Sequence, residues 1–260
     1  MAEPRLELKD DLRLALDRVA FARGVGVEPD DWQRDALSST GPRQLYNCAR
    51  QTGKSTVSAI LATHTALYEP GSLVLLISPT LRQSGELFKK CLEAYRAADK
   101  PVPPDSETVL TLTLENASRI VSLPGGKGHT VRGYSGVRLL VVDEASRVPD
   151  ELYISVRPML ATSAGRLVAL STPFGTRGWW YEAWKSAEPW ERFMVTAEQS
   201  PRIPAAFLEE ERRSMGEWFY RQEYLCEFMD DMFSVFRGED IDAALRDDLP
   251  PLFSEAGGIQ

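Results

Sequence analysis

The chain has 260 residues, of which 43% are hydrophobic, and this is enough for one substantial core and a small second unit. Thirty basic against 38 acidic residues give a net charge of −8, which excludes a surface that binds nucleic acid over its whole extent. The three cysteines are widely spaced, the amino terminus is acidic, and no apolar run approaches the roughly 18 residues of a membrane span, so we expect a soluble, unsecreted protein of a reducing cytoplasm.

Hydrophobic periodicity predicts the elements in chain order. Apolar residues between positions 12 and 21 predict one amino-terminal helix that ends near Gly24 and Gly26. The predicted strands are 44–49, 73–77, 137–142 and 167–170, and a hairpin is predicted from 108–114 and 119–123. The predicted helices are 53–67 and 83–98, followed by charged helices at 205–213 and 217–224.

Strands that alternate with helices in this way predict an α/β fold. We expect a mostly parallel central sheet flanked by helices on both faces, with ligands at the carboxyl ends of the strands. The pattern changes near Pro201, so we expect one domain at 1–200 and a smaller unit at 201–236. The stretch 237–260 is rich in Asp, Pro and Gly, which is typical of a linker or a frayed end.

A phosphate-binding loop is predicted between the first strand and the helix after it. Residues 48–55 match Gly-x-x-x-x-Gly-Lys-[Ser/Thr] except at the first position, where Cys48 replaces glycine. Backbone N–H groups of such a loop cradle phosphates, with Lys54 neutralising their charge and the Ser55 hydroxyl on Mg²⁺. The candidate phosphate-binding residues are Arg50, Gln51, Thr52, Gly53, Lys54, Ser55 and Thr56. Arg50 either contacts phosphate, pairs with an acid or is a solvated surface side chain.

Two adjacent carboxylates, Asp143 and Glu144, follow the apolar strand 137–142. Such a pair is the arrangement of a Walker B motif with a catalytic glutamate: Asp143 holds the Mg²⁺ shell and Glu144 acts as general base on water. Adjacent acids at a strand end are also common as solvated turn residues. The phosphate loop upstream favours the catalytic interpretation.

Six segments occur in an order that resembles a known family. They are Trp32-Gln33, the phosphate loop, 78–84, 130–133, Asp143-Glu144-Ala145 and 170–173. This series is similar to both large terminases and superfamily 2 helicases, which share an ATPase core. A helicase needs a second core domain, for which there is no room after Pro173, whereas 220–228 and 234–236 look like the segment that closes the terminase ATPase region. The chain thus resembles the ATPase (motor) domain of a tailed-bacteriophage large terminase subunit.

The resemblance implies roles for further residues. Gln33 resembles the glutamine that recognises the edge of the adenine base. Trp32 beside it would either pack in the core or contact the base. Thr172 resembles the coupling motif that senses the γ-phosphate, and its hydroxyl could at the same time cap the strand end before Pro173. Arg132 is the candidate arginine finger that a neighbouring subunit supplies to the nucleotide, although a solvated or DNA-contacting arginine is the alternative. The rival candidates for the finger are Arg138, Arg157 and Arg177.

The resemblance also implies a cellular role. It implies a P-loop NTPase whose unit 201–236 is a lid subdomain, with 237–260 as a linker toward a nuclease domain that these residues do not include, so nuclease activity is not expected. ATP and Mg²⁺ would be the cofactors, and hydrolysis would translocate double-stranded viral DNA, without sequence specificity, into a procapsid in the host cytoplasm. The expected partners are a homo-oligomeric ring of this chain, monomeric in isolation, the portal protein and the small terminase subunit.

Two alternatives remain. One is the ATPase half of a superfamily 2 helicase or translocase, which a second core domain in the full gene and strand separation would reveal. The other is a nucleotide-dependent assembly switch, in which ATP binding alone changes a contact. Glu144 argues against a pure switch, because a switch needs no general base.

Overall fold

The computed structural model describes residues 8–125, 131 and 133–230. Its α-helices are α1 (Leu8–Leu16), α2 (Arg18–Gly24), α3 (Asp31–Ser38), α4 (Lys54–Tyr68), α5 (Leu81–Ala97), α6 (Asp150–Val156), α7 (Gly178–Lys185), α8 (Ala205–Met215) and α9 (Glu217–Glu223). Its strands are β1 (Arg43–Cys48), β2 (Leu73–Ser78), β3 (Pro104–Glu107), β4 (Thr111–Leu114), β5 (Arg119–Pro124), β6 (Val137–Asp143), β7 (Arg166–Ser171) and β8 (Glu191–Val195). Within these described ranges, no helix combines the length and the apolar character that crossing a bilayer requires.

All eight strands form one sheet in the order β3-β4-β5-β2-β6-β7-β1-β8. The six strands from β5 to β8 in this order are mutually parallel, and only β4 and β3 at one side run antiparallel to their neighbours. The predicted mostly parallel α/β fold and the hairpin of β4 and β5 are therefore confirmed. The strand that precedes the phosphate loop, β1, is separated from β6 by β7, so the ends of three parallel strands lie side by side.

The sheet is covered on both faces, as its strand sequences require. All six residues of β2 are buried. Because successive side chains of a strand point to opposite faces, Val74 and Leu76 belong to one core, while Leu75 and Ile77 belong to the other. Helices α4 and α5 complete the first core, and α6 and α7 complete the second. This two-sided burial explains why the central strands read as continuous apolar runs.

The predicted single amino-terminal helix is wrong, since this stretch forms two helices, α1 and α2. Asp17 separates them: its backbone is extended, and its Oδ1 accepts hydrogen bonds from the backbone N–H groups of Val19 (2.8 Å) and Ala20 (3.0 Å). An aspartate that caps a new helix satisfies two donors that a continuous helix would bond elsewhere. The apolar periodicity continues through the break and so conceals it.

Helices α8 and α9 pack against the phosphate loop through a small core of their own. Its buried members are Ala49, Ala197, Leu208, Tyr220, Tyr224 and Cys226. Ala49 is the residue directly after β1, so the loop itself contributes to this core. The Tyr224 hydroxyl adds a hydrogen bond of 2.8 Å to Glu211, which joins the two helices.

His64 links the amino-terminal helices to α4. Its Nε2 lies 3.0 Å from the carbonyl oxygen of Leu14, and its ring packs edge-on against Phe21. Burial lowers the pKa of His64 to about 4; the contact with the Leu14 carbonyl opposes this, nearby Arg18 lowers the pKa further, and Glu69 raises it. The imidazole is therefore neutral in the folded protein under conditions where it would be half protonated in the unfolded chain.

This pKa makes stability depend on pH with a defined sign. Between about pH 6.5 and pH 4 the unfolded state binds a proton at His64 that the folded state does not, so the free energy of unfolding decreases as the pH falls. We expect urea unfolding of wild type to lose about 2 to 4 kcal/mol more than His64→Gln over this range. Parallel pH profiles of the two proteins would contradict the prediction.

Candidate functional site

The site lies where the carboxyl ends of β6, β7 and β1 meet. Asp143 is paired in register with Leu170, and Asn47 is paired with Ser171. The residues that follow these three strands therefore share one edge of the sheet, as the ligand position of a parallel α/β fold requires. This register brings the strand ends together, and the binding of a ligand there stays a prediction.

The phosphate loop has the backbone that its motif predicts. Gly53 has φ +87° and immediately precedes α4, whose first residue is Lys54. Thr52 is buried, and its hydroxyl donates a hydrogen bond of 2.9 Å to the carbonyl oxygen of Ala49, which closes the turn. Gln51, by contrast, is exposed and also has a positive φ of 64°. The loop is therefore a tight turn that ends at a helix amino terminus, which is the geometry that favours a bound anion.

Cys48 does not belong to the exposed part of the loop, which explains the departure from glycine at this position. It is the last residue of β1, it is fully buried, and it belongs to the first core, which α4 and α5 complete. Burial raises the pKa of its thiol to about 12. A buried strand end has no need of a glycine, and a small apolar side chain fills the space there.

The lysine of the loop and the second acid meet across the site. Lys54 Nζ lies 3.4 Å from Glu144 Oε1, and the Lys54 side chain is only 10% exposed. Glu144 has left-handed backbone angles, φ 49° and ψ 46°, which are sparsely populated for a non-glycine residue. Its backbone N–H donates a hydrogen bond of 2.9 Å to Asp143 Oδ1, and this bond holds the turn. The turn thus directs two adjacent carboxylates to one place.

Asp143 carries negative charge that the site only partly balances. Burial, and secondly the neighbouring charge of Glu144, raise the pKa of Asp143 to about 6, whereas Lys54 opposes this rise. Lys54 is the buried cation that the described residues bring to these two carboxylates, so a further positive charge would be favourable. Carboxylate and hydroxyl oxygens are the ligands that Mg²⁺ prefers, and Ser55 supplies a hydroxyl in the first turn of α4. The residues therefore fit a magnesium ion held by Asp143 and Ser55.

The end of β7 is hydrogen-bonded to the turn that follows Glu144. The hydroxyl oxygens of Ser146 and Ser171 are 2.8 Å apart, and the Ser146 backbone N–H donates to Ser171 Oγ at 3.2 Å. Thr172, the predicted coupling residue, follows directly and is buried. The sequence analysis did not single out this serine pair, because a hydroxyl-to-hydroxyl contact between separate loops has no local sequence signal.

Gln33 lies against the phosphate loop. It occupies the third position of α3, where its Oε1 accepts a hydrogen bond of 2.9 Å from the Asp30 backbone N–H as part of a capping box. Its Nε2 makes two long contacts, of 3.4 Å to the Thr52 carbonyl and 3.5 Å to the Gly53 carbonyl. Its neighbour Trp32 packs edge-on against Tyr46 in the first core. This contact favours a packing role for Trp32 over a contact with the base.

Arg50 pairs with an acid, one of the alternatives that its position left open. Its Nε donates a hydrogen bond of 2.6 Å to Glu223 Oε2 at the end of α9, while 61% of the Arg50 side chain remains exposed. This contact connects the phosphate loop to the carboxy-terminal helices. A role of Arg50 toward phosphate stays a prediction.

Arg202 is a site residue that the sequence analysis missed. Its Nη1 lies 2.7 Å from Asp30 Oδ2 and donates to the Thr52 carbonyl oxygen at 3.3 Å. Its Nη2 donates to Asp30 Oδ1 at 3.1 Å and to Gln33 Oε1 at 3.3 Å. One guanidinium group thus joins the capping box of α3 to the phosphate loop. Arg202 is separated from these residues by more than a hundred positions of sequence and belongs to no motif, so no signal could have identified it.

Arg132, the predicted finger, lies outside the described residues. Among its rivals, Arg138 is at the start of β6 and pairs with Glu69, so it lies at the sheet edge opposite Asp143. Arg157 lies over the Tyr153 ring at 5.5 Å, and Arg177 directly precedes α7. Which arginine acts as a finger stays a prediction.

The geometry around Gly53 predicts opposite effects for two glycine-to-alanine changes. A Cβ at position 53 would lie 2.4 Å from Gln33 Nε2 and 3.2 Å from Arg202 Nη1, and the φ of +87° is unfavourable for alanine. We expect Gly53→Ala to lower the free energy of unfolding by about 1 to 2 kcal/mol. Gly85→Ala is the matched control, because Gly85 lies within α5 in open space, and alanine there should stabilise by about 0.5 to 1 kcal/mol. Urea unfolding measures both, and effects of the same sign would contradict the prediction.

Comparison with known proteins identifies the family. The family described as "Terminase large subunit, T4likevirus-type, N-terminal" matches residues 45–243. The large terminase subunit of Thermus phage G20c is 27% identical over 260 residues, which cover 85% of this chain and 53% of that protein. The chain thus spans about half the length of the curated relatives it matches.

Solved structures show the same fold. The large terminase ATPase domain of Thermus phage P74-26 matches with a TM-score of 0.72 at 22% identity, covering 86% of this chain and 100% of that domain. The large terminase of another thermophilic bacteriophage, solved in complex with ADP, matches with a TM-score of 0.59 at 12% identity, covering 85% of this chain and 53% of that one. Because the family match extends over most of its length, the chain belongs to the terminase large-subunit family.

Proposed function

We propose that this chain is an ATPase that drives DNA packaging and that it hydrolyses ATP at the edge formed by β1, β7 and β6. The observation that carries the proposal is the 3.4 Å contact between Lys54 Nζ and Glu144 Oε1. It brings together a lysine that can neutralise phosphate and a carboxylate that can act on water, two groups 90 positions apart in sequence. The family supports the same activity, and the terminase of the same fold that was solved with ADP supports a nucleotide as the ligand.

The loop residues bind the nucleotide in this proposal. The backbone N–H groups of the loop and the first turn of α4 face the phosphates, Lys54 neutralises their charge, and Gly53 permits the close approach. Ser55 and Asp143 would hold Mg²⁺, which supplies positive charge against the phosphate oxygens when it is bound. The nucleotide-binding set is Gln33, Arg50, Gln51, Thr52, Gly53, Lys54, Ser55, Thr56 and Thr172.

Glu144 is the general base in this proposal. In the present structure its carboxylate is engaged by Lys54. The phosphates of a bound nucleotide compete for the same ammonium group, and the carboxylate is then released to accept a proton from the attacking water. The hydrogen bond between the Glu144 backbone N–H and Asp143 keeps the released carboxylate at the same turn. An arginine from a neighbouring subunit, Arg132, completes the charge stabilisation.

Thr172 and the serine pair transmit the state of the site. Thr172 follows β7, the strand that lies between β6 and β1. Ser171, the last residue of β7, is hydrogen-bonded to Ser146, two residues after Glu144. A displacement of Glu144 on nucleotide binding would therefore reach β7 through one hydroxyl contact. This route supports the role of Thr172 as the residue that couples hydrolysis to movement.

The domain division belongs to the same proposal. We assign 1–200 to the ATPase domain, 201–236 to a lid subdomain and 237–260 to a linker toward a nuclease domain. The described part of the proposed lid meets the phosphate loop through the Arg50–Glu223 ion pair and the small core that includes Ala49, so the two units would be in direct contact.

The whole protein would translocate double-stranded viral DNA, without sequence specificity, into a procapsid in the host cytoplasm. It would act as a homo-oligomeric ring at the portal protein, together with the small terminase subunit, and the separate chain would be a monomer.

The first test concerns turnover. We expect Glu144→Gln to lower the turnover rate of ATP at least about 100-fold, because the amide cannot accept the proton, while equilibrium binding of ATP is retained. Steady-state phosphate release and binding of a fluorescent ATP analogue measure the two quantities. A wild-type chain that binds ATP but releases phosphate only once would contradict the motor and favour a nucleotide-dependent switch.

The second test concerns the finger in trans. We expect Glu144→Ala and Arg132→Ala to be inactive alone and an equimolar mixture to recover activity, because mixed oligomers pair an intact base with an intact finger. Phosphate release is measured against protein concentration. Arg23→Ala is the matched control, since Arg23 forms an exposed ion pair with Glu28 and is not a candidate for the finger. An inactive mixture, with full wild-type activity at dilutions where the chain is monomeric, would rule out the trans finger.

A further inference from the structure

The turn that carries Glu144 is one short, closed unit. Glu144 has left-handed backbone angles, and the residues after it, Ala145–Arg147, form a 3₁₀ helix. The Arg147 backbone N–H donates a hydrogen bond of 2.9 Å to the Glu144 carbonyl oxygen, so the two residues move together. Left-handed angles are unfavourable for a residue other than glycine and persist only where the surroundings hold them. The orientation of the Glu144 carboxylate therefore depends on what this turn contacts.

Buried and half-buried contacts hold the inner side of the turn. Ala145 is fully buried, and the hydroxyl oxygens of Ser146 and Ser171 are 2.8 Å apart. Directly after the turn, the Val148 carbonyl oxygen accepts a hydrogen bond of 3.0 Å from Trp179 Nε1. These contacts fix where the turn lies against β7 and α7. They lie on the side that faces the interior, so they leave the solvent side of the turn to be held by another contact.

Arg147 supplies the contact on the solvent side. Its guanidinium carbon lies 4.1 Å from the centre of the Phe174 ring, well inside the roughly 6 Å over which the face of an aromatic ring attracts a cation. Both side chains are exposed, and Phe174 is 46% exposed. Phe174 directly follows Pro173, whose ring fixes its own φ, so the aromatic ring is attached to Thr172 through a stiff residue. The contact thus joins the Glu144 turn to the segment that begins at Thr172.

We propose that Arg147 is a positioning residue of the hydrolysis site: its guanidinium group, lying over the Phe174 ring, holds the turn in the orientation in which Glu144 accepts a proton from water. This inference rests on the proposed hydrolysis of ATP and adds a residue pair that acts through Glu144. Inner contacts alone let the turn rock about them, whereas an additional contact on the opposite side fixes its orientation.

The position of the pair separates this role from nucleotide binding. Arg147 and Phe174 follow β6 and β7, whereas the phosphate loop follows β1. Loss of the contact should therefore lower the rate and leave the affinity unchanged. We expect Arg147→Gln to lower kcat for ATP hydrolysis about 2-fold to 5-fold, which is what a cation–π contact at an exposed site can supply, with KM and equilibrium ATP binding as in wild type.

Variants of the ring make the result specific to the contact. Phe174→Leu keeps an apolar side chain but removes the ring, so kcat should fall by the same factor as in Arg147→Gln. Phe174→Tyr keeps a ring under the guanidinium group, so its kcat should exceed that of Phe174→Leu and approach that of wild type. The double variant of Arg147→Gln and Phe174→Leu should lose no more than either single variant, because both remove the same contact, whereas independent effects would multiply.

Arg43→Gln is the matched control. Arg43 lies over the Trp190 ring at 6.0 Å, but it is the first residue of β1 and therefore lies at the amino end of the strands, opposite the site. Its kcat should equal that of wild type. Steady-state phosphate release gives kcat and KM for the full chain, displacement of a fluorescent ATP analogue gives the affinity, and urea unfolding of each variant detects any loss of folded protein.

The outcomes separate this inference from the proposed function. A Phe174→Leu chain with the wild-type kcat, or a double variant whose loss is the product of the two single losses, would overturn the role of Arg147 even if the chain hydrolyses ATP normally. A loss that appears in ATP binding and not in kcat would overturn it as well. If Arg147→Gln does not fold, the difference between Phe174→Tyr and Phe174→Leu decides the question. A wild-type chain without turnover would overturn the proposed function together with this inference.

Discussion

The structure depends on a lysine that is nearly buried at the carboxyl edge of the sheet. An ammonium group in such a position is costly unless acids offset its charge, and Lys54 finds Glu144 at 3.4 Å, with Asp143 next to it. This requirement places the end of β6 across from the start of α4. Only β7 separates β6 from β1, so the ends of these two strands are close enough for the contact. The left-handed turn at Glu144 is the local strain that this arrangement tolerates.

The same edge is reinforced by contacts from the end of the described chain. The Asn47 side chain donates to the Cys226 carbonyl oxygen at 2.9 Å, so β1 is tied to the segment that follows α9. Four residues later, Asp230 accepts a hydrogen bond of 2.6 Å from the Thr176 hydroxyl, in the loop that Thr172 begins. Phe228 packs between these two contacts against Tyr181 of α7. The segment 226–230 thus contacts the strand before the phosphate loop and the loop after β7.

Local patterns in the sequence account for what could be predicted. The phosphate loop, the acidic pair and the central strands are contiguous segments whose residue types are fixed by one backbone turn or by burial on both faces, so they can be read directly. The contacts that hold the site together are of another kind. Arg202 reaches Thr52 across 150 positions and Arg50 reaches Glu223 across 173 positions, and the partner of neither arginine has a local sequence signal. Strand β8 was missed because it is an edge strand with only one fully buried residue, so it lacks the apolar run that identifies a central strand.

The small core around Ala49 has a consequence for how such a protein can be divided or recombined. The boundary near residue 200 is a change of pattern along the chain, but it is not a boundary of packing, because a residue of the phosphate loop fills the interior of the carboxy-terminal helices. Exchange of those helices between homologues would therefore alter the packing beneath the proposed nucleotide site unless the loop were exchanged with them. The phosphate loop and these helices should therefore change together in sequence, even though about 150 residues separate them along the chain.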